Sequence, residues 1–263
     1  VSPHLPFIRP KKYWDLYDHN SINLANNPFH PEDAPNIAIR SQHYSSELRN
    51  MYLDIPKAGN LNDDLSRNLI HGYYASVSYM DALIGELIQS LDDLGLRKNT
   101  TIILWSDHGY FLGEHGMWCK HSTFHEAVQI PFIISSSKFS KNKTTESFTE
   151  LVDVYPTLCE IAKITPPKYL QGKSLVPVLK DPSTILKKEV YTRYKQGEAV
   201  IDKDYSYTEF YNGEKYIGNM LYDLNKDKNQ NQNISNHPNY STLVSKYKKK
   251  LKEMRTLVNK KPI

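Results

Sequence analysis

The run Thr101-Ile102-Ile103-Leu104-Trp105-Ser106-Asp107-His108-Gly109 decides how this chain is read. Its first five residues are β-branched, apolar or aromatic, too short a run for a helix and well suited to a strand. The next four are mostly polar and close on glycine, the way a buried parallel strand of an α/β sheet ends. Residues 131–134 repeat the apolar pattern. Between the two runs, over 106–126, lies the glycine-punctuated loop SDHGYFLGEHGMWCKHSTFHE. Open α/β sheets bind ligands at the carboxyl ends of their strands, so a site is expected in this loop.

Upstream, Leu69, Ile70, Tyr73, Val77, Met80, Ile84, Leu87 and Leu91 recur at steps of three and four, which predicts one long amphipathic helix from about Leu65. Asn62 or Asp63 can cap its start, and Gly95 stands where a left-handed cap ends a helix. Residues 1 to about 60 are dense in Pro and Asn and read as an irregular segment with short helical turns. Downstream, 151–162 reads as a helix that Asp153 could cap, with Pro156 in its first turn, followed by a Pro-containing connector. Composition shifts near Asp181. Residues 190–194, 198–201, 205–211 and 220–222 alternate or are aromatic-rich and are parted by turn signals such as Asn212-Gly213, which predicts a small antiparallel sheet. A terminal helix from about Tyr240 carries Leu243, Val244, Tyr247 and Leu251 on one face and most of its lysines on the other, where they read as a solvated exterior. The expected architecture is α/β with a mixed sheet over 1–180, joined to a small α+β subdomain over 181–263.

The composition bounds the function. With 263 residues, 39% hydrophobic and 24% charged, 11 Gly, 15 Pro and 2 Cys, the chain is not collagen-like, low-complexity or a disulfide scaffold. Lys plus Arg exceed Asp plus Glu by 33 to 29, and a net charge of +4 is far from the footprint of a dedicated nucleic-acid binder. An anionic small substrate remains compatible. No apolar run approaches the ~20 residues of a membrane span. The chain opens at Val1 without a leader, as a mature or truncated piece would.

Asp107 and His108 emerge together from a strand end, either as a carboxylate and imidazole for a metal or as a helix cap beside a surface histidine. Lys120 supplies a compact point charge for a tetrahedral anion, and His115, His121 and His125 share its loop. An oxyanion ester is a plausible substrate for such a set, with histidine able to protonate a leaving oxygen. Cys119 beside Lys120 raises the thought of an activated thiolate, but no orienting third group or oxyanion hole is readable around it. His4 taken alone is a bland histidine near a terminus.

Taken together, Ser106-Asp107-His108-Gly109, Leu112-Gly113-Glu114-His115-Gly116, Trp118 and Lys120 closely resemble the C-terminal active-site segment of the type I sulfatases. The resemblance is to their iduronate-2-sulfatase-like branch, within the alkaline phosphatase superfamily. Pro3-His4-Leu5-Pro6-Phe7 resembles that branch's His-containing substrate-side motif, and YYASVSYMD at 73–81 resembles the helix before its metal strand. DVYPTL at 153–158 with LQGKSL at 170–175 resembles the exit from the catalytic domain, and MLYDL at 220–224 its C-terminal subdomain. The resemblance covers essentially the whole chain.

It implies a sulfatase/alkaline-phosphatase-like fold, with Asp107 and His108 as ligands of a divalent cation, Ca2+. Lys120 would hold a sulfate oxygen, and His4 would face the sulfate or the leaving oxygen and supply its proton. His115 is the second candidate donor or a pin for the loop. Tyr110, Phe111 and Trp118 would contact a sugar ring or pack the loop. The nucleophile of such enzymes is a formylglycine made from Cys or Ser in a Cys/Ser-x-Pro-x-Arg motif, which these residues lack: Cys119 precedes Lys120-His121-Ser122, and Ser2-Pro3 has neither the spacing nor the Arg. The expectation is therefore a C-terminal half, inactive alone, that needs the N-terminal half of the same protein. Its substrate would be a sulfated polysaccharide or oligosaccharide such as a 2-sulfated uronate, in a periplasm, lysosome or secreted setting. The alternatives are a metal-dependent phosphodiesterase or phosphonate hydrolase of the same superfamily, and a non-catalytic module that binds sulfated glycans through Lys120 and its basic helix.

Overall fold

A computed structural model describes residues 3–39, 47–57 and 59–258; Val1 and Ser2 lie outside this range. The proline-rich start forms turns and the short helices α1 (Lys11–Trp14) and, further on, α2 (Glu47–Met51). They lead to the long helix α3 (Asp63–Asp93). Its start is fixed as the spacing predicts, with the Asn62 side chain accepting from the Leu65 amide at 2.8 Å. Asp63 and Asp64 favour the positive end of its dipole, and Gly95 turns the chain out at φ +68°. α3 buries Leu69 and Ile70 against Leu5, Phe7, Leu48, Trp118 and Cys119, so the N-terminal segment and the His-rich loop are packed on one core. The Trp14 indole stacks on His71, 3.9 Å between centroids, fastening α1 to the helix.

The decisive run forms β1 (Ile102–Trp105), and the loop after it folds into the short hairpin of β2 (Phe111–Leu112) and β3 (Trp118–Cys119). A single helical turn, α4 (His125–Val128), precedes β4 (Phe132–Ser135). β1 and β4 pair with each other, but antiparallel, with Leu104 opposite Ile133, and their residues are partly exposed rather than fully buried. This corrects the parallel, buried reading. The connection over 106–131 is spent on the β2–β3 hairpin and the single turn of α4, which leave the chain at the end where it left β1, so β4 runs antiparallel to it.

Leu151–Asp153 is a 3-10 turn that runs into α5 (Val154–Ala162), with Pro156 in the first turn. Asp153 does not cap it. Its fully buried carboxylate instead takes Lys187 Nζ at 2.7 Å and the Lys173 and Glu150 amides, tying three segments together. The connector contains α6 (Val176–Lys180). The antiparallel sheet is present in the order β5 (Glu189–Tyr194), β6 (Gly197–Asp202), β7 (Tyr205–Asn212), β8 (Lys215–Asp223). Closing helix α7 (Ser241–Val258) lays Tyr247 and Leu251 on Val200, Tyr207 and Leu221 of that sheet. The sheet's other contacts reach the site: Phe210, Met220 and Tyr222 share a core with Phe111, Met117 and Phe124 of the loop.

Candidate active site

The end of β1 delivers Ser106 to Tyr110 into a pocket of about 410 Å³ that Pro3, His4 and Tyr73 complete. Gly109 is required at this corner, because a Cβ there would lie 2.0 Å from the Glu126 carbonyl oxygen of α4. Its amide donates to the Ala127 carbonyl at 2.8 Å, clamping the strand end to α4. Beside it, His108 Nδ1 lies 2.7 Å from the Gly109 carbonyl, which can only accept, so Nδ1 donates and the ring is oriented with Nε2 outward. Nε2 lies 3.6 Å from Asp107 Oδ1. An imidazole oriented through its other nitrogen and set beside a carboxylate is a donor set that fits a divalent cation. These two residues would hold it. Among the described residues no group of three or more His, Cys, Asp or Glu side chains is gathered for a metal.

His4 reaches the same pocket from the N-terminal segment. Its Nδ1–H donates to the Leu5 carbonyl at 2.9 Å, which turns Nε2 to Lys120 Nζ, 3.0 Å away. Spacing alone separates these two residues by 116 positions; packing of the N-terminal segment on α3 brings them together. Glu47, which the sequence reading missed, completes the group: Oε2 takes Lys120 Nζ at 2.5 Å and lies 3.4 Å from His4 Nε2, while Oε1 lies 3.8 Å from His121 Nε2. Burial works to raise the Glu47 carboxyl, yet the Lys120 hydrogen bond and charge, with His121 and His4, hold it below its ordinary value. No motif marks Glu47, since its partners come from distant segments. His121 in turn stacks on Tyr194 of β5, 5.4 Å between centroids.

The remaining candidates divide. Tyr110 lines the pocket, stacks on Tyr73 at 5.0 Å and donates its hydroxyl to Cys119 Sγ at 3.5 Å. Phe111 and Trp118 are buried in the cores and give the pocket no ring. Burial pushes the Cys119 thiol up, the opposite of an activated thiolate. His115 does not reach the pocket. It is fully buried, 4.5 Å from the Phe124 ring and 3.9 Å from the Glu126 carboxylate, and burial lowers its pKa to about 4, unsuited to donating a proton near neutrality. His125 is exposed and does not line the pocket; its backbone amide donates to the Gln230 side chain.

The family model for sulfatases matches residues 2–164, the stretch that carries His4, Asp107, His108 and Lys120. The chain belongs to the sulfatase family. A second family model, N-sulphoglucosamine sulphohydrolase, C-terminal, matches residues 113–257 of this sulfatase chain. It is 32% identical to iduronate 2-sulfatase of Mus musculus over 63% of the chain and 35% of that protein. It is 28% identical to a sulfatase of Formosa agariphila over 98% of the chain and 48% of that protein. The chain thus spans about a third to a half of the length of these curated relatives. Among solved structures, one of a protein in complex with its substrate D-glucosamine-2-N,6-O-disulfate superposes with a TM-score of 0.84 at 22% identity, covering 99% of this chain and 65% of that one. Phosphonate monoester hydrolase of Agrobacterium radiobacter gives 0.87 at 21%, over 98% and 55%. Both show the sulfatase/alkaline-phosphatase-like fold. Among the described residues no helix is long and apolar enough to cross a membrane.

Proposed function

We propose that this chain supplies the Asp107, His108, Lys120 and His4 side of a sulfuric ester hydrolase acting on a sulfated glycan, with residues 1–180 as catalytic-domain half and 181–263 as subdomain. The observation that supports it most is the meeting of His4 and Lys120 at 3.0 Å, with His4 also lining the pocket that holds Asp107 and His108. A bound Ca2+ would polarise the ester and neutralise charge on its oxygens. Lys120 adds a fixed counter-charge in a site where it is mostly buried, and so holds a sulfate oxygen more firmly than it would in water. His4, locked by the Leu5 carbonyl, presents Nε2 to the site, and as the imidazolium passes the Nε2 proton to the departing sugar oxygen. Tyr110 offers a rigid ring edge at the pocket wall for the sugar, and His115 keeps the loop in place.

The formylglycine nucleophile and the remaining metal ligands would come from polypeptide outside these 263 residues. The names of the iduronate 2-sulfatase relatives support a 2-sulfated uronate as substrate, and the setting that goes with this reading is exported or lysosomal. The test is made on the intact native polypeptide, by top-down mass spectrometry and by sulfate release from 2-O-sulfated uronate oligosaccharides. A formylglycine mass and Ca2+-dependent release, lost in Lys120→Met, are expected. Hydrolysis of phosphonate esters in preference to sulfates, or salt-sensitive glycan binding without turnover, would sink the proposal in favour of the hydrolase or binding alternatives.

A further inference from the structure

Glu47 belongs to no motif, yet three basic groups of the site converge on its carboxylate: Lys120 at 2.5 Å, His4 at 3.4 Å and His121 at 3.8 Å. The backbone beneath it is held firmly. Leu48 is in the core, and the Arg49 guanidinium donates to the Pro56 and Gly59 carbonyls. The Glu47 side chain itself is 35% exposed, so it can swing away without unpacking α2. An ammonium and two imidazoles gathered around two oxygens form a receptor that a tetrahedral oxyanion satisfies equally well. Without some anion there, Lys120, only 13% exposed, would face two imidazoles with its charge unanswered.

We infer that Glu47 is an internal counter-anion: its carboxylate occupies the oxyanion position formed by Lys120, His4 and His121, and an incoming sulfate-type group binds by displacing it. This rests on the reading of Lys120 as the holder of a sulfate oxygen. Glu47 is thus a positioning residue, keeping the three groups converged while the site is empty and competing with the ligand for them. The competition gives the inference its sign, because loss of a merely structural contact would weaken ligand binding, whereas loss of a competitor strengthens it.

The test titrates inorganic sulfate into the intact native polypeptide at constant ionic strength, following the His4 and His121 imidazole signals by NMR. Glu47→Gln is expected to bind sulfate about tenfold more tightly, the charge interaction of one close carboxylate in a partly screened site. Glu47→Asp, one methylene shorter and the safer variant for folding, is expected to gain about threefold. Lys120→Met is expected to abolish binding in every background. Equal or weaker binding by both Glu47 variants, with Lys120→Met still abolishing it, overturns the counter-anion and leaves the Lys120 reading standing. Binding that survives Lys120→Met, or no saturable binding by any form, overturns both.

Discussion

His115 and Glu126, 3.9 Å apart beneath the site loop, titrate in opposite senses. Burial lowers His115 to about 4 and raises Glu126 to about 7. The unfolded chain protonates that histidine near 6.5, so the stability it contributes is whole above pH 6.5 and is lost as pH falls toward 4. The carboxyl does the reverse: its contribution is whole below about pH 4.5 and is lost as pH rises through 7. Each limb is worth roughly 3 kcal/mol, and between pH 4.5 and 6.5 the two slopes offset one another. Melting temperature against pH should therefore be nearly flat across that window. Glu126→Gln should uncover a fall on the acid side, and His115→Gln a fall toward neutral pH; parallel profiles for both variants would disprove the opposition. Asp107, His108 and Lys120 were readable because they cluster in one loop. Glu47 was not, because a carboxylate 73 positions from its lysine leaves no local signal.

At the scale of elements, the corner between β1 and α4 carries the site's geometry. In Gly109→Ala the new methyl meets the backbone oxygen of Glu126, an atom that no side-chain rotation can move. The substitution should cost about 3 kcal/mol in urea unfolding and dislodge His108, weakening any divalent-cation binding of the folded fraction. A loss under about 0.5 kcal/mol would show that the corner yields. The helix α3 and strands β5 to β8 were legible from periodicity and turn residues. The direction of β4 was not, because an apolar run of four residues reads the same in both directions; its pairing is decided by where the hairpin and α4 between the strands leave the chain.

At the scale of the molecule, α7 is fastened to the second sheet by Arg255, which bonds Glu198 and, at 2.6 Å, the fully buried Glu209. Arg255→Ala leaves Glu209 to the Tyr207 and Tyr211 hydroxyls and Glu198 to Arg193, and should cost about 2–3 kcal/mol by denaturant unfolding. The triple variant Arg255→Met, Glu198→Gln, Glu209→Gln should recover much of that; no recovery would place the loss in packing. The β1–β4 pair leaves Leu104, Trp105 and Ile133 at 37%, 45% and 56% exposed, and among the described residues no third strand joins its edges. Sheet edges of this kind recruit other chains, so the isolated chain should self-associate in sedimentation velocity, and Ile133→Lys should reduce it. A monomer at high concentration would contradict the expectation.

The sequence by itself determined the long helix α3, the strands β5 to β8, the Asp107-His108 strand end and the family, since periodicity, caps and a contiguous motif are local properties of the chain. Only the tertiary structure decided that His4, Glu47, Lys120 and His121 form one group, that His115 is buried packing, and that β1 and β4 are antiparallel. Those outcomes depend on which surfaces cover one another, and burial of apolar area is set by the whole chain at once.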